Sequence, residues 1–179
     1  MYQQTLYYAK MQTPLGAHLW VAKSAAGVCR IEFGHSEPAF RAMLARVWRD
    51  ARLVKDDKAL QRPLAELAEY FAGRRKTFAF PLAPEGTAFQ QKVWQAVAGI
   101  PFGRVTTYQA IARKIRKSQA VRAVGHANGS NPLPIVIPCH RVIGSNGDLC
   151  GYGGGIELKK KLLELEKKET TTFAKPPIF

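Results

Sequence analysis

A thiol and an imidazole stand next to each other at Cys139 and His140. Cysteine is a strong nucleophile as the thiolate, and a neighbouring base or cation lowers the thiol pKa from its free value of about 8.5. Successive residues of a strand point to opposite faces, so the two side chains cooperate only if the chain turns there or a water bridges them. On its own, the pair fits either a nucleophile with its base or a buried cysteine beside an ordinary histidine.

The residues on either side of this pair predict how it is held. Residues 132–138 are an apolar run that contains three prolines. Because proline is excluded from helix interiors and central strands, the run predicts a rigid extended segment or an edge strand. Residues 141–155 are a glycine-rich loop without the Gly-Lys-Ser/Thr of a phosphate loop. We interpret this loop as a flexible wall over a pocket, with Tyr152 as its contact residue.

The composition favours a globular protein with a polyanionic partner. The chain has 179 residues, enough for one large domain or two small ones, and its 46% hydrophobic content predicts a core. The formal net charge is +14, with 13 Lys and Arg against 8 Asp and Glu in residues 1–87, and 14 against 5 in residues 88–179. Since the excess is larger in the half with the Cys-His pair, nucleic acid is the favoured partner.

The cysteines and the chain ends favour a reducing compartment. There are three cysteines, no secretory signal pattern, and no apolar run near the ~18 residues of a membrane span. His18, Cys29 and His35 lack the paired spacing of a zinc site, so no metal is expected and Cys29 is assigned to the core. Cys150 has no assigned role.

The N-terminal half predicts an antiparallel sheet with helices. Short segments separated by turn residues at hairpin spacing predict strands over residues 2–10, 17–23 and 28–33. Helical periodicity predicts helices over residues 37–54 and 63–72, residues 76–80 are a candidate further strand, and residues 81–87 form a linker rich in proline.

The C-terminal half is predicted to be almost wholly helical. Thr87–Gln90 is a capping box that opens a helix ending at Gly99, and Thr106–Gln109 is a second capping box. Ser118 is expected to cap a third helix over residues 119–127. The helix that opens at Thr106–Gln109 and the helix over residues 119–127 form either a helix-turn-helix or an ordinary helical pair.

A final helix is predicted over residues 156–168, with Lys159 and Glu166 inside its apolar face. An unpaired buried charge is costly, so both side chains need partners if this face is buried. For Glu166, a solvated position near the helix end is the alternative.

Four motifs together resemble the O6-alkylguanine-DNA alkyltransferases. Pro-Cys-His-Arg-Val (138–142), preceded by Asn-Pro-x-Pro-Ile, is similar to their active-site signature. The resemblance runs from about Phe89 to Glu166 and includes Phe-Gly-Arg-Val-Thr-Thr-Tyr (102–108), Ala-Val-Arg-Ala-Val-Gly (120–125) and Gly-Tyr-Gly-Gly-Gly (151–155).

The resemblance implies an α+β protein of two domains. Residues 1–80 would form a ribonuclease-H-like antiparallel sheet with helices, and residues 81–87 the linker. Residues 88–168 would form the helical DNA-binding and alkyl-transfer domain with a helix-turn-helix, followed by a tail, residues 169–179.

The implied function is DNA repair by direct reversal. Members of the family move an alkyl group from O6-alkylguanine in double-stranded DNA irreversibly to their own cysteine, here Cys139, once per molecule and without a cofactor. The guanine is extruded from the duplex, because the base stack shields the target atom. We expect minor-groove binding by a monomer in the cytoplasm, at the nucleoid if the source is a prokaryote.

The family's roles transfer to matching residues of this chain. Glu166 would orient His140, which would act through a water as general base on Cys139. Tyr108 would hydrogen-bond to the departing guanine, and Asn131 would shape the pocket.

The resemblance also implies the DNA contacts. Arg122 would take the place of the extruded base. The full implied DNA-binding set is Tyr108, Gln109, Lys117, Ser118, Ala120, Arg122, Ala123, Gly125 and Ser145, and the alkyl and guanine pocket is formed by Val142, Tyr152, Gly153 and Gly154. The family more often has a side chain where Gly153 stands, which leaves the width of the pocket open.

Two other functions use the same residues. A cysteine hydrolase with Cys139, His140 and Glu166 would turn over repeatedly on an ester or amide. A DNA-binding protein without transfer chemistry is the second alternative, and the presence of Cys139 argues against it.

Overall fold

The computed structural model describes residues 4–172, with the side chains of the last helix described through residue 168. The chain divides into two compact units between Glu85 and Gly86. No helix within residues 4–172 has both the length and the apolar composition that a membrane span requires.

The first unit is built on a four-stranded sheet in the order β3-β2-β1-β4. The strands are β1 (Thr5–Gln12), β2 (His18–Ser24), β3 (Gly27–Phe33) and β4 (Arg52–Lys55). β1, β2 and β3 pair antiparallel, as predicted, whereas β4 pairs parallel with β1.

Strand β4 corrects the prediction of one helix over residues 37–54. Helix α1 covers only Glu37–Val47, and Trp48 caps it. The Arg52 N–H then donates to Gln4 O, and the Asp56 N–H donates to Tyr8 O. Four residues are too few to show a strand period, so the pairing with β1, and not the local pattern, determines this strand.

Helix α1 packs on one face of the sheet. Helix α1 begins at Ser36, whose hydroxyl accepts from the Ala39 N–H, and it buries Phe40 and Leu44. Phe40 stacks on Trp20 of β2 at 5.4 Å between ring centroids. Helix α2 spans Gln61–Phe71.

Residues 76–80 do not form the candidate strand. Within the described residues, the nearest β-type pairing is an isolated bridge between Val28 of β3 and Leu82. The segment is held instead by Glu66 of α2, whose carboxylate accepts from the Ala79 N–H at 2.7 Å.

The second unit contains four α-helices among the described residues, with two very short strands. Its elements are α3 (Ala88–Ala98), β5 (Thr106–Thr107), α4 (Tyr108–Lys114), α5 (Val121–Gly129), a 3₁₀ turn (Cys139–Arg141), β6 (Val142–Ile143) and α6 (Ile156–Thr172). The capping box of Thr87 and Gln90 at the start of α3 is confirmed. Helix α3 packs on α5, where the Trp94 indole donates to Ala127 O at 2.7 Å.

Two predicted helix starts are wrong. Thr106 and Thr107 pair in parallel with Val142 and Ile143, so α4 begins one residue later than predicted, with Thr107 as its cap. The Gln109 amide donates to Ser118 O and completes no capping box. Helix α5 begins at Val121 without a side-chain cap, so Ser118 does not cap it.

Candidate active site

The segment before the nucleophile is a series of turns, and the predicted extended segment or edge strand is wrong. Ile135 lies in the left-handed region with φ 77° and is buried, as are Leu133 and Ile137. Asn131 holds the segment from within: its Nδ2 donates to Ile137 O at 2.7 Å, and its Oδ1 accepts from the Leu133 N–H at 3.0 Å. The prolines therefore shape a compact turn.

The chain turns at the Cys-His pair, which meets the condition that the sequence imposes on their cooperation. Cys139, His140 and Arg141 form a single 3₁₀ turn, closed by the Arg141 N–H on Pro138 O at 2.9 Å. Cys139 is 5% exposed and His140 is fully buried.

The surroundings of Cys139 act on its charge in opposite directions. Burial raises the pKa of the thiol, while hydrogen bonds from the Asn131 and Tyr152 side chains and the positive charge of Lys159 lower it. Lys159 is fully buried on α6, and its Nζ donates to Val142 O at 2.6 Å and to Leu149 O. Burial also lowers the pKa of this ammonium. In the resting site the thiol is therefore protonated, with a cation nearby.

Glu166 is the acceptor for three neighbouring donors. It accepts from His140 Nε2 at 2.9 Å, from Arg141 Nη2 at 2.8 Å and from the Gly103 N–H at 3.0 Å. Burial opposes its ionisation, but the hydrogen bonds and charges of His140 and Arg141 prevail and lower the pKa of the carboxyl to about 2. Glu166 is 1% exposed, so the alternative of a solvated helix end is wrong.

The carboxylate of Glu166 determines the tautomer of His140. An ionised carboxylate only accepts hydrogen bonds, so Nε2 carries the proton that it donates to Glu166. Burial lowers the pKa of His140, which keeps the ring neutral and leaves a lone pair on Nδ1. Nδ1 is buried and makes no hydrogen bond to any residue in the described part of the chain. It is therefore available as a base.

Arg141 is a site residue whose role the sequence did not indicate. Its guanidinium donates twice to Glu166, donates to Ile100 O at 2.6 Å, and lies over the Phe102 ring at 5.6 Å. The side chain is 4% exposed. Its position within Pro-Cys-His-Arg-Val was the available signal, but the spacing does not reveal that Arg141 and His140 share one carboxylate.

Asn128 was also missed. It lies on the buried side of α5 at 5% exposure, and its Nδ2 donates to Cys139 O at 3.2 Å. It also hydrogen-bonds to Tyr108, whose pKa is raised mainly by burial, so the phenol remains a donor at neutral pH. A polar residue four positions after the buried Val124 was the signal for a bonded core position.

A pocket of about 560 Å³ opens between α4, α5 and the glycine-rich loop. It brings together five of the predicted site residues, and Cys150 is a lining residue that the sequence did not assign. The lining consists of Tyr108, Val121, Arg122, Gly125, Gly129, Cys150, Gly151, Tyr152 and Gly153. Gly153 lines the pocket, and a Cβ at this position would meet no atom within 4 Å.

The other predicted contacts lie outside this lining. Gln109 bonds to Ser118 O, Val142 is buried beside Thr106, and a Cβ at Gly154 would lie 2.6 Å from Leu158. The exposed members of the set are Lys117, Ser118, Ala123 and Ser145, and Ala120 is half-buried at the start of α5.

Residues 4–172 contain no group of three or more His, Cys, Asp or Glu that could hold a metal ion. His18 Nε2 donates to His35 O at 2.6 Å. Cys29 is a core residue, as expected: it is 2% exposed, and burial raises the pKa of its thiol to about 12.

Fold and site together define a two-unit α+β protein with a buried cysteine beside a hydrogen-bonded His–Glu pair. Two family profiles match the chain: the ribonuclease-like domain of 6-O-methylguanine DNA methyltransferase over residues 6–84, and the DNA-binding domain over residues 88–168. The chain belongs to the 6-O-methylguanine DNA methyltransferase family. The predicted α+β fold class is thereby confirmed, and β4 is the parallel strand of its larger sheet.

Curated relatives match over nearly their whole length. The methylated-DNA–protein-cysteine methyltransferase of Methanosarcina barkeri is 40% identical over 162 residues, which cover 90% of this chain and 98% of the relative. The constitutive enzyme of that name from Bacillus subtilis is 42% identical over 168 residues, which cover 90% and 95%.

Solved structures share the fold. The Mycobacterium tuberculosis OGT in complex with DNA superposes with a TM-score of 0.80 at 39% identity, over 91% of this chain and 94% of that one. The O6-methylguanine-DNA methyltransferase of Pyrococcus kodakaraensis gives a TM-score of 0.61 at 25% identity, over 90% and 98%.

Proposed function

We propose that this protein repairs DNA by direct reversal, as a methylated-DNA–[protein]-cysteine S-methyltransferase. Cys139 takes the alkyl group from O6-alkylguanine in duplex DNA, irreversibly and once per molecule. The observation that carries the proposal is the buried Cys139 turn with its His140–Glu166 pair, within the segment that matches the family's DNA-binding domain.

The bond changes balance without a cofactor. His140 Nδ1 takes the thiol proton through a water, while Nε2 stays bonded to Glu166, whose negative charge supports the imidazolium that forms. The Cys139 thiolate attacks the alkyl carbon, the S–C bond forms, and the C–O6 bond breaks with its electron pair passing to the guanine. A hydrogen bond from the Tyr108 phenol to guanine N3 stabilises that charge, and the guanine finally holds the proton that the thiol lost.

The duplex must be opened for this reaction. At 5% exposure Cys139 cannot reach an atom inside a base stack, so the guanine leaves the duplex and enters the pocket. Arg122 is exposed and lines that pocket, which supports its assignment as the side chain that fills the gap. The remaining assigned contacts, from Gln109 to Ser145, would lie along the minor groove.

The positions of the residues around the pocket support different roles for its wall and for the backbone that holds Cys139. Tyr152 and Gly153 form its wall, while Asn131 and Asn128 hold the backbone on either side of Cys139. We assign Val142 and Gly154 to the same alkyl and guanine pocket. We assign residues 1–80 to the first domain, 81–87 to the linker, 88–168 to the reacting domain and 169–179 to the tail; residues 173–179 lie outside the described part of the chain.

The protein would act as a monomer wherever chromosomal DNA is found, which in a prokaryote is the nucleoid in the cytoplasm. A cysteine hydrolase with the same three residues is the alternative. The two functions differ in the fate of the modified cysteine, since water cleaves an acyl-enzyme but not a thioether.

Stoichiometry tests the proposal. The protein is mixed with excess duplex that contains one O6-methylguanine, and the intact mass is measured as a function of time. We expect one methyl group per chain, located on Cys139 by peptide mapping, and then no further reaction. A Cys139→Ser variant is the control and should gain no mass. Product that accumulates over many equivalents would favour the hydrolase.

A further inference from the structure

A second groove lies at the opposite end of α4 from the lesion pocket. Its volume is about 430 Å³, and it shares no lining residue with that pocket. Helix α3 contributes Lys92 and Gln95, the end of α4 contributes Lys114, and the turn after it contributes Arg116. All four side chains are exposed, so the groove presents three cations to solvent.

The protein does not neutralise this charge. Residues 86–147 contain eight Lys and Arg but no Asp or Glu. Within the described part of the chain, Lys92, Lys114 and Arg116 have no carboxylate at ion-pair distance. Lys114 directs Nζ to Ala96 O at 3.3 Å, which uses one of its three donors. The groove therefore has donors and charge available for an anion.

Arg116 occupies a backbone position that favours glycine. It follows the cap of α4 with φ 58°. Its N–H donates to Arg113 O, and the Lys117 N–H donates to Ala112 O, which are the paired bonds of a Schellman motif. Glycine is the usual residue there because a Cβ is strained in the left-handed conformation. A cation at a position where the fold prefers glycine indicates a use for that cation.

We propose that this groove binds a backbone phosphate of the same duplex whose lesion enters the pocket. The inference rests on the proposed function and adds a second point of attachment to it. Arg116 would hold the phosphate oxygens with its planar fork, and Lys92 would supply a point charge. Helix α4 is about 10 Å long, roughly the rise of three base pairs, so one duplex reaches both sites.

Such a contact positions the duplex and reads no sequence. Each phosphate that the protein neutralises steepens the fall of log K with log salt by about 0.9. The groove should thus contribute to the salt dependence of binding to damaged and undamaged duplex alike, whereas the pocket distinguishes between them.

The test compares two variants with the same loss of charge. Lys92→Gln/Arg116→Gly removes two of the three groove cations, and Lys160→Gln/Lys161→Gln removes two exposed lysines of α6. Affinity for an undamaged duplex is measured by fluorescence anisotropy from low to high salt. We expect the groove variant to bind about tenfold more weakly at low salt, with a salt slope smaller by about 1 to 2, and the α6 variant to keep the wild-type slope.

Arg116→Gly alone separates binding from folding. Glycine suits the left-handed position, so the melting temperature should not fall although the affinity for DNA does. Equal slopes for the two double variants would overturn the phosphate site. Reaction of each protein with a duplex that contains one O6-methylguanine separates the two ideas. If wild type takes up one methyl group while the slopes are equal, the groove inference alone fails. If wild type takes up none, the proposed function fails.

Discussion

Glu166 serves two buried hydrogen-bond donors, His140 and Arg141, with one carboxylate. Its bond to His140 orients the base, while its two bonds to Arg141 attach α6 to the loop that follows α3. A charge of this kind is costly to bury and more costly to leave without its partner. In the proposed mechanism, catalysis and stability therefore depend on the same atoms, and a substitution here should affect both.

Replacement of Glu166 by Gln should alter the pH dependence of transfer. The imidazole loses the anion that supports its positive form, so the thiolate forms only at higher pH. Transfer near neutrality should slow by about 10²–10⁴-fold, the usual effect of a positioned acid–base group. The measurement is the rate with free O6-benzylguanine against pH. An unchanged profile would show that Glu166 has no part in the reaction.

Arg141→Gln is the matched control for that experiment. It removes the hydrogen bonds between Arg141 and Glu166 but leaves the His140–Glu166 bond in place. Both variants should lower the melting temperature, since each leaves a buried charge with fewer partners. Only Glu166→Gln should move the rate profile to higher pH.

Helix α5 links the DNA surface to the nucleophile. Its exposed side carries Arg122 and Ala123, and its buried side carries Asn128, which bonds to the carbonyl of Cys139. Small residues on the exposed side let a helix approach another surface closely. One nine-residue element thus connects the proposed DNA surface to the reacting turn.

Arg122→Ala should slow repair in a duplex more than reaction with the free base. Extrusion of the guanine needs a side chain to fill the gap, whereas free O6-benzylguanine needs none. The loss in duplex should exceed the loss with free base by about tenfold or more, the effect of roughly 1.4 kcal/mol. Single-turnover rates on both substrates provide the comparison. Equal losses would assign Arg122 to the pocket or the fold.

The elements that the sequence predicted are those with a complete local pattern. Helix α3 has its capping box and its apolar face, and the hairpins of the first unit have their turn residues. Strand β4 has neither, because its position comes from hydrogen bonds to β1, which lies far from it in the sequence. Likewise the turn around Ile135 is held by Asn131 and the core, so the proline pattern alone suggested an extended chain.

The net charge of the whole chain could be read from the sequence, but which charged side chains pair with each other could not. The chemistry of Cys139, His140 and Glu166 came from motif resemblance, and only the fold brings residue 166 to residue 140. The roles of Arg141 and Asn128 required three-dimensional contacts, since their spacing from Glu166 and Tyr108 matches no helical or strand period.

The second unit should lose stability in acid in two steps. Burial lowers the pKa of His140, so the unfolded chain takes up that proton first and stability falls as the pH drops below about 6.5. Glu166 has its pKa lowered from 4.5 to about 2, so its contribution is present above 4.5 and is lost as the pH falls towards 2. That second step corresponds to roughly 3 kcal/mol.

Urea unfolding from pH 7 to pH 2.5 checks this expectation. Trp94 reports on the second unit if Trp20 and Trp48 of the first unit are replaced by Phe. Glu166→Gln should retain the step near pH 6.5 and lose the one below pH 4.5. A free energy of unfolding that is constant down to pH 3 would contradict the buried carboxylate cluster.

The burial of Cys139 also determines how long an unused molecule stays competent. A protein that reacts once has a fixed capacity, which every side reaction of its acceptor thiol would diminish. Cys139 is 5% exposed, and burial keeps it as the less reactive neutral thiol, whereas Cys150 is exposed. Stray electrophiles and oxidants in solution therefore meet Cys150 first. The acceptor is preserved for a carbon that the DNA itself carries into the pocket.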